Sequence, residues 1–173
     1  MSTISNKLLE RNTNKVIKKG IIRRGSVSYP EAESIGILFS VVDREKHSLV
    51  KKFIKSLEKD KKKVDVLCLL GEGKENYDFI FDYFTTRDFS LFGHAISSSI
   101  LLFVQKKFDY LIVLDTESNI YTDNILAKSN AKCRIGIYHN DKDPFYELMI
   151  KTKDGNSVEE FIDQVYHYLK FIN

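Results

Sequence analysis

Ile35-Gly36-Ile37-Leu38-Phe39-Ser40-Val41-Val42, a nearly unbroken apolar run, is followed by a segment of helical period and by a second run, Val64-Asp65-Val66-Leu67-Cys68-Leu69-Leu70. These three pieces decide the fold. Strands that are apolar on both faces are those covered on both sides, as in parallel sheets. Between them, Leu49, Val50, Phe53, Ile54 and Leu57 share one helical face, with Lys51, Lys52, Lys55 and Glu58 on the other. The stretch therefore reads as one βαβ unit, whose crossover is almost always right-handed.

Downstream the alternation continues. Tyr77 to Phe84 is rich in aromatics and reads as a short third strand, and Ser90-Leu91-Phe92-Gly93 as a turn. A helix over about 94–107 would present Ile96, Ile100, Leu101 and Val104 to the core and place Lys106 and Lys107 in its last turn. Asp109-Tyr110-Leu111-Ile112-Val113-Leu114-Asp115 is the clearest strand, followed by a short helix capped by Thr122 and a strand at Cys133 to Tyr138. Phe145 to Ile150, preceded by Pro144, reads as an edge strand. A last helix spans about Ser157 to Phe171, with Ser157 and Glu160 as a capping box.

The pattern predicts an α/β fold: a single doubly wound, mostly parallel, Rossmann-like sheet of about five strands over residues 34–173. Residues 1–33 form a basic N-terminal helical arm ahead of it. A chain of 173 residues fits one domain, and 43% hydrophobic with 29% charged residues argues against disorder or a coiled coil. With no apolar run near the length of a membrane span and a polar start, a cytoplasmic protein is expected. Cys68 and Cys133 each sit inside an apolar run, away from other ligand-type residues, so reduced, buried thiols are expected and no metal site.

The net charge of +3 hides an asymmetry. Residues 1–24 hold Lys7, Arg11, Lys15, Lys18, Lys19, Arg23 and Arg24 against Glu10 alone, a net +6 that leaves −3 for the rest. Lys7, Arg11, Lys15 and Lys18, at spacings of four, four and three, fall in one stripe of a helix over 6–19. Such a stripe, with Arg23 and Arg24 beyond it, suits RNA or another polyanion, and equally a solvated face. Leu8, Leu9, Val16 and Ile17 are too few for a strong membrane-surface helix.

In doubly wound sheets, ligands bind beyond the carboxyl ends of the strands, where strand order reverses. That rule nominates Asp43, Asp115, Thr116, Glu117 and His139 as ligand-binding residues. Asp43 serves equally as a helix cap and Asp115 as a turn residue. Asp43, Asp115 and Asp141 lack the closely spaced acidic pair of a magnesium site. Gly71-Glu72-Gly73 lacks the third glycine and the helix start of a dinucleotide fingerprint, and reads as a turn. Scattered histidines and a helical Ser97-Ser98-Ser99 supply no catalytic constellation, so a binding module is favoured over an enzyme and no cofactor is named.

Phe108 to Asp115, a short helix, then Asn130-Ala131-Lys132-Cys133-Arg134-Ile135-Gly136-Ile137 resembles the N-terminal half of heptosyltransferase-type glycosyltransferases. The resemblance implies a Rossmann-like fold and a nucleotide- or sugar-nucleotide-binding domain. Those enzymes bind the nucleotide sugar mostly through a second domain, so what the resemblance implies for these residues is mainly the fold. Over nearly its full length the chain also resembles a Bacteroidota family of unknown function. Asn6-Lys7-Leu8-Leu9, the Ser34 to Phe39 strand and the Ala131-Lys132-Cys133-Arg134 step carry that likeness.

Overall fold

A computed structural model describes residues 3–20, 24–25, 27–74, 81–153 and 157–171. In chain order the elements are α1 (Thr3–Lys19), β1 (Ser34–Val41), α2 (Arg44–Lys59), β2 (Lys63–Leu70), β3 (Asp82–Phe84), α3 (Ser98–Gln105), β4 (Tyr110–Val113), α4 (Ile120–Lys128), β5 (Cys133–Ile137), β6 (Leu148–Ile150) and α5 (Val158–Phe171). The sheet has six strands rather than five, in the order β3-β2-β1-β4-β5-β6, and every pairing is parallel. This is the doubly wound order of a Rossmann fold.

Alternation along β1 divides the core. Ile35, Ile37, Phe39 and Val41 meet Val50, Phe53 and Leu57 of α2 and Phe161, Val165 and Leu169 of α5. Leu38 belongs to the opposite face, with Ile100 and Phe103 of α3, Ile125 and Leu126 of α4, and Leu9 of α1. The basic leader is thus part of the second helical layer. Ser5, Leu9 and Thr13, four residues apart, are its buried face. Thr13 Oγ1 accepts a hydrogen bond from Asn124 Nδ2 at 2.8 Å, and Tyr121 Oη lies 3.1 Å from Asn6 Oδ1.

Several local expectations are corrected. The helix expected over 94–107 begins only at Ser98, because Phe89 and Ala95 pair in an antiparallel bridge around a turn at Ser90–Gly93. Its core face is Ile100 and Phe103, while Ile96 and Leu101 are 60% and 44% exposed. Lys106 is its C-cap rather than part of a last turn. Asn119, not Thr122, caps α4, since its carboxamide oxygen accepts from Tyr121 N; the Thr122 hydroxyl donates to the Asn119 carbonyl. Only Asp82–Phe84 of the expected third strand is a strand, and residues 77–80 of that expectation lie outside the described residues. The edge strand is shortened to Leu148–Ile150, with Phe145 in a single 3-10 turn beside Pro144. At α5, Ser157 Oγ accepts from Glu160 N as a cap should, while the Glu160 carboxylate accepts from Lys153 N.

The amino-terminal end of the sheet is sealed by ionic groups satisfied within the fold. Asp109 accepts from Glu33 N, Ser34 N and Lys132 Nζ at 2.8, 3.0 and 2.7 Å. Burial works to raise its pKa, and the Lys132 and backbone donors together outweigh burial and lower it. Lys62 Nζ donates to the carbonyls of Tyr29 and Ala32, both at 2.6 Å.

Candidate functional site

At the carboxyl end of the sheet the loops after β1 and β4 diverge, because the chain leaves β1 toward β2 and leaves β4 toward β5. The gap between them is a cleft of about 440 Å³ lined by Ser40, Val42, Asp43, Lys46, Asp115 to Asn119, and Val158. Four of the five nominated ligand residues, Asp43, Asp115, Thr116 and Glu117, therefore meet in one place. His139 does not line it, because β5 lies one strand away from the reversal of strand order.

Asp115 follows β4 and is almost fully buried at the cleft floor. Its carboxylate accepts from Ser40 N at 2.7 Å, Ser40 Oγ at 2.8 Å and Lys46 Nζ at 2.6 Å. Lys46 reaches it from the first turn of α2, with the two side chains 7% and 6% exposed. Asp43 caps that helix: its Oδ1 accepts from Lys46 N at 2.8 Å. A helix N-terminus is where a Rossmann fold receives phosphate, and here a carboxylate already occupies it. The lining holds Asp43, Asp115 and Glu117 against one cation, Lys46. With the hydroxyls of Ser40, Thr116 and Ser118, this arrangement repels phosphate and suits hydroxyl or amine groups.

Sequence reading missed Lys46 and Ser40. Lys46 carried one signal, its place three residues after a capping Asp in the first turn that follows a buried strand. Among the described residues no group of three His, Cys, Asp or Glu could hold a metal ion. Burial pushes the Cys68 and Cys133 thiols up, to about 12 and about 11, so both are held protonated.

The second candidate surface is the outer side of α1. Its inward side docks through Leu9 and Thr13, so Lys7, Arg11, Lys15 and Lys18 all face solvent. None of the four forms an ion pair with another described residue. Arg24 is different: its guanidinium donates to the carbonyls of Ser129 and Ala131 and lies 3.9 Å from Glu147. Burial, and then the charge of Arg134, lower its pKa to about 10. Arg24 is a bracket between the leader and the α4–β5 connection, and its donors face the protein. Arg23 lies outside the described residues.

No described helix is long and apolar enough to cross a membrane. The sequence model of a family of unknown function, DUF6913, matches residues 6–172. No curated protein and no solved structure matches the chain.

Proposed function

We propose, for a chain that belongs to the DUF6913 family of unknown function, that it is a binding module holding RNA or a similar polyanion along the outer face of α1. The observation that carries this reading is the row of four exposed, unpaired cations on a helix whose opposite face is anchored in the core. Successive cations four residues apart rise about 6 Å along the helix, and the stripe spans about 16 Å. Docking fixes the row in place. A polyanion then pays little to order its partner, and the counterions it releases drive association.

Binding of RNA should weaken steeply with salt. Four phosphate contacts on a single strand predict a logarithmic slope of about −2.8, or a loss of about 50-fold between about 50 and 200 mM salt. Replacing Lys7, Arg11, Lys15 and Lys18 together by alanine should remove this binding and leave the melting temperature nearly unchanged. These substitutions are preferable to deleting residues 1–24, which would strip Leu9 from the core. Wild-type protein that ignores RNA at low salt, or a quadruple variant that binds as wild type does, overturns the proposal.

The cleft supports a second reading, a small-ligand site related to the glycosyltransferase-like resemblance of residues 108–137. Its acidic lining and capped α2 terminus favour the sugar part of such a ligand over its pyrophosphate. A thermal-shift series with free sugars, nucleotide sugars and divalent cations tests this. A true ligand at a hundred times its dissociation constant stabilises by about 2.7 kcal/mol. Sugars that leave the transition unmoved at millimolar concentration remove this reading.

A further inference from the structure

We infer that the polyanion site on α1 is built for a single nucleic-acid strand, with Phe92 as the platform on which a base stacks. The inference rests on the proposed RNA contact and adds to it the class of strand. Three features carry it.

First, Leu91 and Phe92 are 72% and 70% exposed, which is unusual for neighbouring large apolar residues with a core to hand. Second, the turn that displays them is closed by hydrogen bonds. Gly93 N donates to Ser90 O at 2.9 Å, Ser90 N to His94 O at 2.8 Å, and His94 N to Ser90 Oγ at 3.1 Å. Gly93 has a φ of 74°, in the left-handed region that favours glycine. Third, the turn is fastened to α1. Asn12 Nδ2 donates to the Phe92 carbonyl at 2.6 Å. Gly93 also lies so close to the helix that a Cβ there would meet Leu9 Cα at 2.6 Å.

Asn12 precedes Lys15 by three residues and so neighbours it on the helix surface, which sets the turn beside the Lys15 part of the cationic stripe. An aromatic face beside a row of cations is the arrangement by which proteins hold single strands: phosphates lie along the charges and unpaired bases stack. A duplex keeps its bases stacked on each other and has no face to offer Phe92. A ligand of phosphates alone would leave the ring unused.

The test uses the full chain and four probes: a single-stranded oligouridylate about twelve nucleotides long, a duplex of equal length, inorganic polyphosphate, and vesicles containing phosphatidylserine. Phe92→Ala should weaken single-strand binding about 5- to 150-fold, without altering the salt slope. Phe92→Tyr should restore it, and polyphosphate binding should be the same for all three proteins. Since Phe92 is largely exposed, the melting temperature should hold throughout. If Phe92→Ala binds the single strand as wild type does, or if the duplex binds as tightly as the strand, this inference falls and the polyanion reading stands. Vesicle binding that depends on Phe92, with no such dependence for the strand, likewise overturns it in favour of a lipid surface. If neither the strand nor polyphosphate binds, both fall together.

Discussion

Replacing Asp115 with alanine is expected to destabilise the protein by about 3–5 kcal/mol. The carboxylate is the shared acceptor of three donors, Ser40 N, Ser40 Oγ and Lys46 Nζ, at the bottom of the cleft. Removing it strands a lysine whose side chain is 7% exposed and leaves the last backbone donor region of β1 unanswered. A buried charge without its partner costs far more than the pair contributes, because the desolvation of Lys46 stays in place after the attraction is gone. Substituting both partners, Asp115→Leu with Lys46→Met, should therefore recover most of the loss. Urea denaturation of the three proteins measures this. A loss below about 1 kcal/mol for Asp115→Ala would mean that the cleft hydrates Lys46 and the pair behaves as a surface ion pair. The result also bears on the second functional reading: a pair that holds the floor of the cleft together is held away from any ligand, and only the rim groups, Thr116, Glu117 and Ser118, remain to meet one.

The elements whose period or apolar content is strong were legible in the residues themselves. β1, β2, β4 and β5 are short apolar runs, α2 and α5 have clear faces, and the observed bounds differ from the expected ones by one to a few residues. What escaped was decided by contacts distant in sequence. The start of α3 is delayed because the turn at Ser90–Gly93 sits on Leu9 of α1, eighty-odd positions earlier, and nothing local to Ile96 announces this. Two of the three buried residues of α1 are polar: Ser5 and Thr13 stand beside Leu9, and Asn124 completes Thr13 from α4. A search for apolar periodicity undercounts such a face, so the leader read as an arm. In the cleft, strand-end reasoning reached Asp43, Asp115, Thr116 and Glu117, while Lys46 looked like one more outward cation until the depth of Asp115 was known. His139 was nominated by the same rule, which cannot tell the strand at the reversal from its neighbour before strand order is known.

The docking of α1 leads to the second large effect, because Leu9→Ala should cost about 2–5 kcal/mol and should also weaken RNA binding. Leu9 is fully buried, packed in the same cluster as Leu38 of β1 and Ile125 of α4. The cavity left by truncation lies where the helix has fewest alternatives. Along α1 the other fully committed positions are Ser5 and Thr13, which bury little apolar surface. A helix of 17 residues containing Asn12, Thr13 and Asn14 is marginal in water by itself, so its order comes mainly from docking, in which Leu9 is the fully buried apolar residue and Val16 and Ile17 add partly buried ones. Once loosened, α1 no longer holds Lys7, Arg11, Lys15 and Lys18 in register, and the turn bearing Phe92 loses the backbone on which Gly93 rests. Denaturation, helical circular dichroism and RNA affinity should therefore shift together in Leu9→Ala, whereas the four-alanine variant should lose affinity alone. Stability within about 0.5 kcal/mol of wild type, a difference typical of surface substitutions, would show that α1 is an appendage. The charges would then act as a flexible tail, and a fixed platform beside them would have no basis.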